Sequence, residues 1–78
     1  MRYFFHLRES GDYVVDEEGR ELPDIAAVEA AARLNARSVL AGEAMTGKLP
    51  LAAIIEVRDE QGQPVLDLPF RDAVILDG

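Results

Sequence analysis

One histidine is the side chain best suited to acid–base chemistry in this sequence of 78 residues. His6 lies in an alternating segment between Phe4 and Arg8. Neither neighbour supplies the nucleophile or the orienting acid that a catalytic imidazole needs. We therefore predict a structural or surface role for His6, with a binding role as the alternative, and we predict no catalytic residue.

A run of carboxylates precedes the one long helical segment, and its members are Asp16, Glu17, Glu18, Glu21 and Asp24. Their spacing differs from that of calcium-binding loops, in which acids alternate around an invariant glycine. The positive end of a helix dipole explains them, because it stabilises nearby carboxylates. We predict no metal site and no cofactor, and we retain weak binding of a small ligand or metal near His6 and this run as an alternative.

Motifs for phosphate loops, dinucleotide binding, nucleophile elbows and zinc proteases are absent from the sequence. Thr46-Gly47-Lys48 is similar to part of a phosphate loop, but it follows the helical segment. Phosphate binds at the opposite end of a helix, where backbone N–H groups point outward. We predict that the protein is not an enzyme.

The net charge is −7, with eight basic residues scattered among fifteen acidic ones. Nucleic-acid phosphates are bound by clustered Lys and Arg, so we predict no nucleic-acid partner. The sequence has no cysteine, no signal-peptide pattern and no apolar run of the roughly 20 residues that cross a bilayer. We predict a cytoplasmic protein that has no membrane partner.

The residue pattern predicts one α+β domain over residues 1–78. An alanine-rich helix is predicted from Asp24 to Met45, because Pro23 and Asp24 favour a helix start and Gly47 and Pro50 favour its end. Alternation and turn residues predict four strands, at 2–8, 13–15, 51–59 and 64–68. The expected fold is ββαββ, with a four-stranded, mostly antiparallel sheet in the order 2-1-3-4 and the helix on one face. Residues 72–76 fit either a further turn of helix or a short strand, and the sequence leaves the conformation of residues 69–78 open.

The helix carries two apolar stripes. Residues that we expect to face the sheet are Ile25, Val28, Ala32, Ala36, Val39 and Leu40. The second stripe, which a monomer with one sheet cannot bury, is formed by Ala27, Ala30, Ala31, Leu34, Ala41 and Met45. Alanine that only maintains helicity on an exposed face is the alternative reading. Glu29, Arg33 and Arg37 are spaced for ion pairing along the helix.

These features predict a homodimeric, self-associating interaction domain, with two surfaces as competing interfaces. One is the helix stripe, represented by Ala27, Ala31, Leu34 and Met45. The other is the outer sheet face with the C-terminal segment, represented by Phe4, His6, Ile54, Val74 and Leu76. The alternative is an acidic inhibitor or adaptor of a basic protein, because segments 16–24 and 56–78 each carry a net charge of −4.

The motifs RYFFH at residues 2–6, DEEGRELPD at 16–24 and LPFRDA at 68–73 occur in this order around the alanine-rich helix. In these motifs the chain resembles a family of small uncharacterised alphaproteobacterial proteins, a domain of unknown function. The resemblance implies a fold and no activity. The hairpin, acidic run and helix are also similar to the start of HicB-type antitoxins, acidic proteins that cover a small basic toxin. This chain lacks their glycine-cysteine turn and their DNA-binding segment.

Overall fold

The computed structural model describes residues 1–77. The elements in chain order are β1 (Arg2–Glu9), β2 (Asp12–Val14), β3 (Arg20–Glu21), α1 (Ile25–Ala44), β4 (Ile54–Arg58), β5 (Pro64–Pro69) and a 3₁₀ helix (Phe70–Ala73). Over the described residues, no helix combines the length and apolar character needed to cross a membrane.

The strands form one antiparallel sheet around β1. The strands β2, β1, β4 and β5 lie side by side, and β3 pairs with the N-terminal end of β1. The predicted sheet of four strands in the order 2-1-3-4 was therefore incomplete, because a fifth strand is present. With only two residues, β3 is too short to show the alternation that identifies a strand from sequence. Pro64 begins β5 at the sheet edge, where a missing backbone N–H is tolerated.

The two ends of α1 confirm the predicted helix. Asp24 caps its start, with Oδ1 accepting the backbone N–H of Ala27 at 2.8 Å. At its C-terminal end, the carbonyl of Glu43 accepts hydrogen bonds from two residues that follow the helix. These are the backbone N–H of Lys48 at 3.1 Å and the hydroxyl of Thr46 at 2.8 Å. These bonds satisfy backbone groups that a helix end would otherwise leave unpaired.

The core lies between α1 and one face of the sheet. Its helical members are Val28, Ala31, Ala32, Ala36 and Leu40. Its members in the strands are Tyr3, Phe5, Ile55, Val57 and Leu68. Two expectations about the helix faces were wrong. Ala31 is only 6% exposed, because it lies about 60° around the helix from Val28 and within the covered arc. Ile25 is 52% exposed, because a residue in the first turn has helix neighbours on one side only.

The C-terminal segment packs beside the helix. Phe70 is fully buried, and its backbone N–H donates to the carbonyl of Ala53 at 2.8 Å. The carbonyls of Asp72 and Ala73 accept from Arg33 at 2.7 Å and from Arg37 at 2.6 Å. These two arginines therefore anchor the end of the 3₁₀ helix, and the expected ion pairs along α1 with Glu29 are not found in the described part of the chain.

Candidate interaction surface

The sheet face opposite α1, called the outer face below, carries a mixed set of aromatic, charged and aliphatic side chains. Alternate residues of a strand point to opposite faces, so the residues between the core positions point outward here. The outer face consists of Arg2, Phe4, His6 and Arg8 from β1, Tyr13 from β2, Glu21 from β3, Ile54, Glu56 and Arg58 from β4, and Asp67 from β5.

Glu56 is the centre of a hydrogen-bond network on the outer face. It is 8% exposed although no helix covers this side in residues 1–77. Its carboxylate accepts from Nε of Arg8, from Nη2 of Arg58 at 3.3 Å and from the hydroxyl of Tyr13 at 3.3 Å. Arg58 also donates to Asp67 at 2.9 Å, and the guanidinium of Arg8 lies 4.8 Å from the Tyr13 ring centroid. The network fixes these side chains relative to one another.

The charges of this network stabilise each other. The hydrogen bond from Arg8 lowers the pKa of Glu56, burial opposes this shift, and the charges of Arg8 and Arg58 reinforce it. The same hydrogen bond raises the pKa of Arg8. The ionised form of the Glu56 carboxylate is thus stabilised by the two arginines that it pairs with.

A second network attaches the segment between β2 and β3 to β1. The Asp16 carboxylate accepts three backbone N–H groups, from Phe5 at 3.0 Å and from Glu18 and Gly19 at 3.2 Å each. The backbone N–H of Asp16 donates to Nδ1 of His6 at 3.0 Å. One residue therefore closes the turn before β3 and holds it against the middle of β1.

The protonation of Asp16 is governed by these contacts. Burial raises the pKa of its carboxyl, but the hydrogen bonds from Phe5, Gly19 and Glu18 outweigh burial and leave the pKa below its ordinary value. Asp16 is accordingly a structural carboxylate, with its oxygens already occupied by backbone donors.

His6 is held between two aromatic rings on the outer face. Its ring stacks on Phe4 with centroids 6.5 Å apart and an interplanar angle of 10°, and it lies 5.8 Å from the ring of Tyr13. Since Nδ1 accepts a hydrogen bond from Asp16, this nitrogen is unavailable to a ligand. The predicted structural or surface role fits this environment.

The structure brings together some of the predicted interface residues and separates others. Phe4, His6 and Ile54 share the outer face, where Phe4 and Ile54 are half-buried. Ala31 belongs to the core, which corrects its assignment to a partner-facing stripe.

The remaining predicted interface residues do not belong to the outer face; they lie on or next to α1 or in the C-terminal segment. Leu34 and Met45 on α1 are 63% and 87% exposed, and Ala27 is half-buried. Val74 packs against the core beside the helix, and Leu76 is exposed. The sequence predicted a single interface made of the outer face and the C-terminal segment. In the structure, Val74 of that segment packs on the helix side of the sheet, opposite the outer face.

Sequence reasoning missed Glu56 and assigned Asp16 to the wrong task. Asp16 was attributed to helix electrostatics, whereas the spacing of Asp16 and Gly19 in DEEG is typical of an aspartate-initiated turn. A glutamate within the apolar strand Ile54–Arg58 was the available signal for a paired, buried carboxylate.

Residues 1–77 contain no group of three His, Cys, Asp or Glu side chains that lie close enough together to hold a metal ion, and they enclose no pocket. Of the groups suggested for weak ligand binding, Nδ1 of His6 accepts the backbone N–H of Asp16, and the Asp16 carboxylate accepts backbone N–H groups.

A family model matches most of the chain. This model, described as a domain of unknown function (DUF6894), matches residues 2–71. No curated protein and no solved structure matches the chain. The match confirms the resemblance to a domain of unknown function that the three motifs indicated.

Proposed function

The chain belongs to the family of the domain of unknown function (DUF6894), and we propose that it is a non-enzymatic interaction domain that forms a homodimer. The observation that carries this proposal is the one-sided sheet. Helix α1 covers its inner face. Among residues 1–77 no helix covers the outer face, which carries half-buried Phe4 and Ile54 and exposed Tyr13, and the turn at residues 16–19 lies beside Phe4 and His6 there. Apolar surface of this kind is typical of contact sites.

The size of the chain supports self-association. Surface-to-volume scaling gives a domain of 78 residues a small core, and a chain without cysteine has no disulfide to compensate. Apolar burial in a dimer adds about 25 cal/mol of stabilisation per Å² removed from water. Exposed Leu34, Met45 and Ile75 show that the helix side also has apolar surface that the monomer leaves in water.

The arrangement of polar groups supports a role without catalysis. The three groups best suited to chemistry take part in contacts within the chain. Glu56 binds two arginines, Asp16 accepts backbone N–H groups, and Nδ1 of His6 accepts the backbone N–H of Asp16. A catalytic or metal-binding role for either carboxylate or for Nδ1 of His6 would require these contacts to break first. The alternative of weak ligand binding near His6 has less support for the same reason.

A basic protein partner also has less support than a second copy. Several carboxylates of the acidic run are used within the chain: Asp16 holds the turn, Asp24 caps α1, and Glu21 lies 3.4 Å from the N-terminal amine and 3.8 Å from Arg2. In the C-terminal acidic segment, Glu56 and Asp67 are paired with arginines. Fewer free carboxylates remain for a basic surface than the net charge suggests.

Sedimentation equilibrium of the purified protein tests the proposal. The monomer mass is 8.6 kDa, and we expect about twice this mass at micromolar concentration. A single monomeric species across the concentration range would overturn the homodimer. Recovery of a basic protein from cell extract at low salt, and its loss at high salt, would favour the antitoxin-like alternative, because salt screens contacts between exposed charges.

A further inference from the structure

The turn at residues 16–19 lies beside β1, between the two stretches of β1 that pair with β3 and β2. Strand β3 pairs with Arg2 and Tyr3, and β2 pairs with residues 7–9. Between these stretches, Phe5 and His6 bind Asp16 of the turn instead of a strand. We propose that the turn is a pH-sensitive latch on β1, which neutral His6 keeps closed and protonated His6 releases.

The contact between His6 and the turn depends on the protonation of the imidazole. Its Nδ1 accepts the backbone N–H of Asp16 at 3.0 Å, so this nitrogen carries no proton. An imidazole that gains a proton has an N–H group at both ring nitrogens and accepts no hydrogen bond. The N–H of His6 would then point at the N–H of Asp16, and the contact is lost. Histidine is the side chain that ordinarily changes its charge between pH 5 and pH 8.

Two other contacts hold the turn on β1, and neither changes its hydrogen-bonding role over that range of pH. The Asp16 carboxylate accepts the backbone N–H of Phe5, and its depressed pKa keeps it ionised above pH 5. Nη1 of Arg2 donates to the carbonyl of Glu18 at 2.6 Å, and arginine stays charged. Of these contacts, only the one at His6 changes when histidine titrates.

The charged and titratable groups around the His6 ring come from three strands and from the turn. They are Arg8 on β1, Tyr13 on β2, Glu56 and Arg58 on β4, and Asp16, Glu17 and Glu18 in the turn. Glu56 pairs with both arginines, so the charges from β4 and from Arg8 offset one another. An imidazolium that turned to the Asp16 carboxylate would compete with the backbone N–H groups that already bind both of its oxygens.

Release of the turn changes what β1 presents to solvent. The turn packs on Phe4, since a Cβ added at Gly19 would lie 2.8 Å from Cε2 of that ring, and it occupies the backbone N–H of Phe5. A loosened turn uncovers an aromatic ring and a backbone donor that is free for pairing with another strand. The latch thus couples proton uptake to exposure of β1, and it does so in a monomer as in a dimer.

The test is ¹H–¹⁵N NMR of the wild type from pH 8 to pH 5, because it observes both nitrogens of the hydrogen bond. In neutral His6 the ring proton should lie on Nε2, and a scalar coupling across the hydrogen bond should join Nδ1 to the amide nitrogen of Asp16. This coupling should disappear as His6 takes up its proton. With the same midpoint, the amides of Glu18 and Gly19 should lose about fivefold or more of their protection against hydrogen exchange, measured relative to an unstructured chain at the same pH. A change of this size corresponds to the loss of one hydrogen bond of ordinary net strength.

His6→Asn is the matched control, because the side-chain oxygen of asparagine can take the place of Nδ1 as an acceptor and does not titrate. Its turn should keep the same protection from pH 8 to pH 5. An equal loss of protection in His6→Asn would overturn the latch, because another group would then be responsible. A wild-type ring that stays neutral down to pH 5, or a turn that stays protected after His6 is protonated, would overturn it as well. The wild-type series decides alone if His6→Asn does not fold.

Discussion

Gly19 is the position where a single methyl group should damage this fold most clearly. It has a φ of +71°, and its amide donates to the Asp16 carboxylate at 3.2 Å. A Cβ added there would lie 2.8 Å from Cε2 of Phe4, 2.9 Å from the carbonyl oxygen of Tyr3 and 3.0 Å from Cγ of Arg2. Because one of these atoms belongs to the backbone of β1, rotation of a side chain alone cannot make room.

Two costs add in Gly19→Ala. The left-handed backbone conformation costs an alanine roughly 1–2 kcal/mol relative to glycine. Overpacking against a fixed neighbour costs roughly 1–3 kcal/mol more. The expected loss in the free energy of unfolding is therefore about 3 kcal/mol, which lowers the Tm of a domain of this size by roughly 10 °C or more.

Gly62→Ala is the matched control, because Gly62 has a φ of +79° but no atom within 4 Å of its added Cβ. It should lose only the conformational part, roughly 1–2 kcal/mol. Urea unfolding measures the free energy of unfolding of both variants and of the wild type. All three are measured at one protein concentration, because the stability of a dimer depends on concentration. Equal losses in the two variants would refute the close contact between the turn and β1.

Three further outcomes follow from the same contacts. The pKa of Asp16 is depressed in the folded state, so its contribution to stability is complete above its ordinary pKa of about 4 and is lost as the pH falls through the folded-state pKa. Urea unfolding between pH 7 and pH 3 should therefore show a steeper loss for the wild type than for Asp16→Asn, and parallel curves would contradict this. Glu56→Gln should cost about 1–3 kcal/mol because Arg8, Arg58 and Tyr13 lose a charged acceptor at a buried position, whereas Arg8→Gln, at a side chain that is 55% exposed, should cost clearly less. Gly42→Ala should raise the free energy of unfolding by about 0.5–1 kcal/mol, since Gly42 lies within α1 with open space around it, and a loss of stability would show an unrecognised packing role.

The local parts of the fold could be predicted from the sequence, because their signals lie within a few residues. Asp24 marks the start of α1, and the alternation in RYFFHLR separates core residues from outward ones. The glycine in DEQG marks the turn between β4 and β5. Each of these signals depends on backbone geometry that neighbouring residues fix by themselves.

The parts that required the structure depend on contacts between distant residues. Arg33 and Arg37 donate to carbonyls 39 and 36 residues away, and any carbonyl in the chain could have accepted from them. Glu56 is bound by Arg8, 48 residues away, only because the register of β1 and β4 aligns them. The angular position of Ala31 on α1 was known from sequence, but the width of the arc that the sheet covers was not.

A dilution series followed by two-dimensional ¹H–¹⁵N NMR tests most directly whether the protein pairs with itself through the outer face. As the dimer dissociates, the backbone amide signals that shift should belong to Phe4, His6, Ile54 and their neighbours in β1 and β4. The amides around Leu34 and Met45 in α1 should stay in place. Shifts confined to α1, or no concentration dependence at any signal, would contradict the account.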